Sequence, residues 1–249
     1  MIDSLQFELK YPDQSLSDFV YCFTSLQNFQ DHDDAVIIPN GRVDLIFSKT
    51  DDGLLQIALL GLETKPKYVD SKVNNFFSVS FNPLAIEYLF PYSLAGLLDT
   101  GKLLPSDFWG IGINDLIDFD GFCKTITKII NSHLLKKIDE RKRKLFQLIF
   151  GSNGEISIAE LSQTVIWNQR QINRYFNQQF GLSLKSYCKI LRFQASLPYI
   201  KHGELYPQLN FSDQSHFIKE IKQFAGVSPK ELYRNKNDRF LQFLFYKDK

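Results

Sequence analysis

The sequence predicts an α+β protein: a mixed α/β N-terminal domain with mainly antiparallel strands, followed by an all-α C-terminal domain. Three observations support this division. Runs of β-forming residues broken by turn residues occupy positions 1 to about 120, whereas the pattern after Gly154 is helical almost to the end. The charge run KKIDERKRKL lies between them. Charge is also split unevenly. Residues 136–249 carry 20 Lys and Arg against 10 Asp and Glu, and residues 1–135 carry 9 against 18, although the whole chain has a net charge of only +1. Such asymmetry suggests that the basic half meets a polyanion; a chance partition of solvated surface charge is the alternative. With 249 residues and 44% hydrophobic content, the chain can bury a core in one large domain or two ordinary ones.

In the N-terminal half, FVYCFTSL reads as a strand or mixed segment. AVIIPNGRVDLIFS reads as two extended runs, with Pro39, Asn40 and Gly41 turning between them. Val43, Leu45 and Phe47 alternate with Asp44 and Ile46, giving one apolar face and one that is only partly polar. LLQIALLGLETKPKYV continues the pattern, with Pro66 ending a run. NNFFSVSFNPLAIEYLF reads as a strand and then a helix, with Asn82 as its cap and Pro83 at its first position. A second helix is expected from about Gly121 to Leu135. The division of the chain is therefore 1–135, a helical linker over 136–150, and 151–249.

The most informative segment begins at Ile156. Ile158, Leu161 and Val165 share one face of a short helix, and a break follows at Ile166–Trp167–Asn168. A second helix runs from about Asn168 to Phe180, with Ile172, Phe176 and Phe180 buried, Asn168 as N-cap and Gly181 ending it. Its other face presents Gln169, Arg170, Asn173 and Arg174. Guanidinium and amide groups have the donor geometry to read base edges, Arg on guanine and Asn or Gln on adenine. Helix, tight turn and a second helix of this kind make a helix-turn-helix, although spacing alone leaves an ordinary solvated face open. In the following unit, Phe217, Ile221 and Phe224 form a stripe that Ser212 or Asp213 can cap. Gln214, Ser215, His216 and Lys219 are exposed on its first turns, and Lys222 and Lys230 suit phosphates.

Residues 155–235 resemble the DNA-binding domain of the AraC/XylS family of bacterial transcription regulators. Two stretches carry the resemblance, NQRQINRYFNQQFGLSLKSY and FSDQSHFIKEIKQFAGVSPKEL, the second with Gly226 and the pair Ser228–Pro229. It implies two helix-turn-helix units joined by a long helix, here about Leu184 to Lys201, that read two adjacent major-groove segments of double-stranded DNA. Carried over, Arg170, Asn173 and Arg174 match base-contacting positions of the first unit, and Gln214, Ser215, His216 and Lys219 those of the second. The chain departs from the pattern in the second unit. The stretch from Gly203 to Phe211 is short, Pro207 falls where a helix is expected, and Asn210 stands in place of a glycine, where it can take the left-handed conformation. Pro198 is expected to kink the central helix. A distorted second unit leaves open a regulator that acts mainly through N-terminal dimerisation or protein contacts.

Most of residues 5–110 also resemble a domain of unassigned function often found ahead of this module, on IPNGRVDLIF, LLGLETKP and SVSFNPLAIEYLF. That resemblance implies small-molecule effector binding or homodimer formation. No catalytic set is legible. His32, His133, His202 and His216 form no HxxxH pair, and there is no P-loop, GxGxxG or GxSxG. The run Asp31–His32–Asp33–Asp34 lacks the spaced oxygens of a calcium loop and reads as solvated. The cysteines Cys22, Cys123 and Cys188 have no CxxC spacing and read as small buried hydrophobes. No enzyme activity, metal, cofactor, signal peptide or membrane span is expected, and the location expected is cytoplasmic.

Overall fold

A computed structural model describes residues 6–28, 35–68, 75–134, 138–235, 239–241 and 243. The acidic run at 31–34 and the first two lysines of the linker lie outside these residues.

The strands are β1 (Gln6–Lys10), β2 (Val20–Gln27), β3 (Val36–Ile37), β4 (Val43–Lys49), β5 (Leu55–Leu60), β6 (Lys67–Tyr68), β7 (Phe76–Phe81) and β8 (Gly101–Leu104). Six of them form one antiparallel sheet in the order β1-β2-β7-β4-β5-β8, and β3 pairs with β6 in a separate small sheet. The alternation seen in β4 sets the two faces of the large sheet. Val43, Leu45 and Phe47 align with Phe81, Val79 and Phe77, and all are buried on one side. Asp44 and Ile46 align with Ser80 and Ser78 on the other.

Helix α1 (Ile86–Leu89) is a single turn after a 3-10 turn at Pro83–Ala85. Asn82 precedes it but makes no side-chain cap; its amide instead donates to the Ser17 carbonyl at 2.8 Å and ties two loops together. Helix α2 (Phe119–His133) is capped by Asp118 and lays Phe122 on the apolar sheet face, 5.2 Å between ring centres from both Phe47 and Phe77.

The remaining helices are α3 (Glu140–Gly151), α4 (Ile158–Val165), α5 (Gln169–Phe180), α6 (Leu184–Lys201), α7 (Gln214–Ala225) and α8 (Pro229–Arg234). Each starts on a side-chain cap, from Asp139, Ser157, Asn168, Ser183, Asp213 and Ser228 respectively. The central helix α6 passes through Pro198 without interruption. Between Lys201 and Gln214 there are only turns and bends. Pro207 supplies no N–H there, and Asn210 is not among the residues with positive φ, so the left-handed turn expected at it does not form.

Buried side chains of both halves join in one continuous apolar core. Tyr187 of α6 donates to the Gly41 carbonyl at 3.0 Å, and the Gln194 amide donates to the Pro39 carbonyl. The Arg42 guanidinium lies between the Tyr21 and Phe150 rings, 4.5 Å from each. Gly181 both ends α5 in the left-handed conformation and meets the Ala95 carbonyl, which a Cβ would approach to 2.7 Å. The C-terminal end of α5 therefore abuts the β half.

Candidate nucleic-acid interface

Helices α4 and α5 form the helix-turn-helix that the spacing predicts. Leu161, Val165, Ile172, Tyr175, Phe176 and Phe180 are all buried, and Phe146 of α3 joins them, 5.7 Å from Phe176. The turn is made by Ile166, at φ 51° and ψ 49° and 87% exposed. A β-branched residue is unfavourable there. The next helix starts on a reciprocal cap in which Asn168 and Gln171 each accept the other's backbone N–H.

With the apolar side fixed inward, Gln169, Arg170 and Arg174 are exposed on the opposite side. No ion pair engages Arg170 or Arg174 among the described residues. Asn173 is half-buried. It lines a groove of about 360 Å³ together with Ser157, Lys185, Cys188, Lys189 and Arg192. Burial pushes the Cys188 thiol up to about 12, so the groove holds a thiol and not a thiolate.

The second unit is built differently. Helix α7 keeps its buried stripe of Phe217, Ile221, Phe224 and Ala225, but Glu220 sits in the same stripe and is only 2% exposed. Two cationic groups and an imidazole converge on it: Lys189 Nζ at 3.0 Å, an Arg192 guanidinium nitrogen at 3.1 Å and His216 Nε2 at 3.2 Å. A buried carboxylate requires such partners. Arg192 also donates to the Asn210 carbonyl at 3.1 Å and lies 5.0 Å over the Phe211 ring. The Asn210 N–H donates to Glu155 at 2.6 Å, and Gln214 Nε2 donates to the Leu205 carbonyl at 2.9 Å. The segment that lacks a helix is thus held at Asn210 by polar contacts to α6 and to the loop before α4, and at Leu205 by one to α7.

Among the four residues predicted for this unit, Ser215 and Lys219 are exposed. Gln214 is exposed but its amide is spent on Leu205. His216 is half-buried; the Ser212 N–H donates to its Nδ1 at 3.3 Å, which leaves Nε2 to face Glu220. Sequence reasoning missed Glu220, Lys189, Arg192 and Glu155. The signal for Glu220 was present: a charged residue at an inward position of the stripe Phe217, Ile221, Phe224 has to find a buried partner.

Part of the positive charge of the C-terminal half is matched internally. Arg143 pairs with Asp18 at 3.0 Å, and Lys142 pairs with Glu87 at 2.5 Å, which Tyr175 also reaches at 3.2 Å. No group of three or more metal-ligating side chains occurs among the described residues, and no described helix is long and apolar enough to cross a membrane.

Residues 10–101 match a sequence family described only as a domain of unknown function (DUF6597). No curated protein matches the chain. Among solved structures, ToxT from Vibrio cholerae O395 is 13% identical, with a TM-score of 0.44 over 94% of this chain and 99% of that one. A second crystal form of ToxT is 14% identical, with a TM-score of 0.44 over 93% of this chain and 98% of that one. The unsaturated fatty acid-bound ToxT of strain SCE256 is 12% identical, with the same TM-score over 93% of this chain and 95% of that one. Likenesses at this level carry no argument about function.

Proposed function

We propose that the chain is a sequence-specific DNA-binding transcription regulator of the AraC type that reads two adjacent major-groove segments. In this reading residues 151–249 bind DNA, 136–150 link, and 1–135 form a regulatory domain for an effector or for dimerisation. One observation carries the reading: α5 exposes Gln169, Arg170 and Arg174 opposite an apolar side locked by Ile172, Phe176 and Phe180. Arg170 and Arg174 supply charge and bidentate donors for guanine edges, and Gln169 an amide for adenine. In the second unit, Lys219 and Ser215 are the side chains free to approach a duplex, and Gln214 reads bases only if it leaves Leu205.

The test is binding of the full chain to duplexes selected from a random pool, measured across salt concentration. Wild type should lose affinity steeply as salt rises. Arg174→Ala should weaken binding to the selected sequence by about ten- to hundredfold. Equal, weak and salt-insensitive binding by both proteins would refute the proposal. The missing helix between Lys201 and Gln214 favours a second reading, in which α7 no longer reads bases and regulation runs through N-terminal protein contacts. Protection of one major-groove segment instead of two would select it.

A further inference from the structure

The polar face of the large sheet is not open to solvent. β3 and β6 lie over it, and the C-terminal end of the chain returns from α8 to complete the cover. The Val36 N–H donates to the Arg239 carbonyl at 2.7 Å, Val36 bridges Phe240 in parallel, and Phe240 is only 1% exposed. Leu241, the next residue, packs with Leu26 and Phe76 and forms part of the wall of a cavity of about 80 Å³. At roughly 10–15 Å³ per water, the cavity holds about five to eight water-sized groups.

The two ends of the cavity differ chemically. One end is apolar, with Leu26, Phe76 and Leu241, while Leu60 pairs with Asp44 at the other. The other carries two carboxylates and hydroxyls. Asp44 accepts from Ser80 Oγ on one oxygen and, at 3.4 Å, from Asn40 on the other. Glu63 is 8% exposed, and its Oε1 is buried with no hydrogen-bond partner. The nearest cation to that oxygen is Lys67 Nζ at 3.8 Å, on a side chain 42% exposed. Thr24 and Ser78 share a short hydrogen bond beside them. Burial pushes the Asp44 carboxyl up, opposed by its bonds from Ser80 and Asn40 and by the charge of Arg42; the Arg42 guanidinium lies against the Tyr21 and Phe150 rings, with Nε and Nη1 making no hydrogen bond. Lys67 is near enough for an ion pair but too far for a hydrogen bond, and the Glu63 oxygen facing the cavity accepts none; a cationic donor inside the cavity would supply it.

We infer that this cavity, closed by Leu241, binds a small primary alkylamine, with the ammonium between Asp44 and Glu63 and the alkyl chain against Phe76 and Leu241. An ammonium donor would satisfy the unpartnered Glu63 Oε1 and a second would reach Asp44, whose oxygens accept from Ser80 and Asn40, while a short chain fills the apolar end. Burial, reinforced by Asp44 and Asp99 and opposed by Lys67, pushes Glu63 up to about 7, so amine binding should drive a proton off it. The inference deepens the reading of residues 1–135 as an effector domain and gives the effector a chemical class. It also links that effector to the C-terminal end of the chain, through Leu241.

The test is thermal denaturation of the full chain without DNA, with n-butylamine and the neutral isostere n-butanol as probes. Butylamine should raise Tm and butanol should not, and the effect should grow between about pH 6 and 8 as Glu63 ionises. Glu63→Gln, which removes no hydrogen bond at Oε1, should weaken apparent butylamine affinity by about ten- to hundredfold. Leu241→Ala should shift the preference from n-butylamine to n-hexylamine, a readout that surface binding to acidic groups would not move. Equal stabilisation by butanol, or amine binding unchanged in both variants, would overturn the inference. A chain that binds DNA but no amine refutes the cavity assignment alone; one that binds amine but no DNA refutes the regulatory reading alone.

Discussion

The two helical units solve the same problem with different forces. In the first, α4 supports α5 from behind through Leu161, Val165, Ile172, Phe176 and Phe180, all at most 3% exposed. In the second, no helix precedes α7 within the unit; α7 keeps an apolar stripe against α6, with Phe224 5.2 Å from Phe193, and a buried carboxylate is added to it. Glu220 draws Lys189 and Arg192 of α6 against α7, while Arg192, Glu155 and Gln214 pin the intervening segment. Apolar support is non-directional and tolerant of salt. Ionic support is directional and is shared among the partners that face the buried charge.

The largest effect expected from this contrast is at Phe176, buried among Phe146, Tyr175, Phe180 and Tyr187. Phe176→Ala should cost about 3–5 kcal/mol in chemical denaturation, with little change between low and high salt. Arg192→Leu should cost less, about 1–3 kcal/mol, because Lys189 and His216 still face Glu220. Unlike the first variant, it should raise hydrogen exchange in 203–225 while leaving 158–180 protected. Equal loosening of both units would show that they are not independently supported.

Helix α5 is legible in the sequence because it carries its own stop signals, whereas α6 follows from the family resemblance and its cap, Ser183, is seen only in the structure. Asn168 and Gly181 bracket α5, so local chemistry fixes its ends. The large sheet was legible only as strands. Its order depends on pairings such as Phe47 with Phe77, thirty positions apart, which no local pattern encodes. The partly polar face of β4 hinted at Asp44, but what covers Asp44 comes from β3, β6 and residues 239–241, segments too short to carry a period. The short stretch at 203–211 and Pro207 make a distorted second unit legible, and Asn210 reads as able to keep its turn; the polar contacts that replace the helix are not legible, since their members lie at 155, 189, 192 and 220 and meet only on folding.

A smaller effect sharpens the contrast within the first unit. Ile166 is held at positive φ while its side chain is exposed. Ile166→Gly should therefore stabilise by about 1 kcal/mol, read as a shift in denaturation midpoint with unchanged slope. Destabilisation there would mean that the exposed Ile166 side chain supports the turn in a way its exposure does not suggest.

In the β half, Glu63 supplies a pH-dependent comparison. Its folded value of about 7 lies above the ordinary 4.5, so the unfolded chain gives up this proton first as pH rises. The stability this group allows is present in full below about 4.5 and falls as pH rises towards 7. Glu63→Gln should match wild type at about pH 4 and be more stable at about pH 8. A constant difference across that range would contradict the burial assigned to Glu63.

The account rests most heavily on α7 being held in a reading position without its supporting helix. Hydroxyl-radical footprinting of the full chain on a selected duplex, with wild type and Arg192→Leu side by side, tests this directly. Wild type should protect two adjacent major-groove segments, and the variant only the one bound by α5. A single protected segment with wild type, or two with the variant, would contradict it.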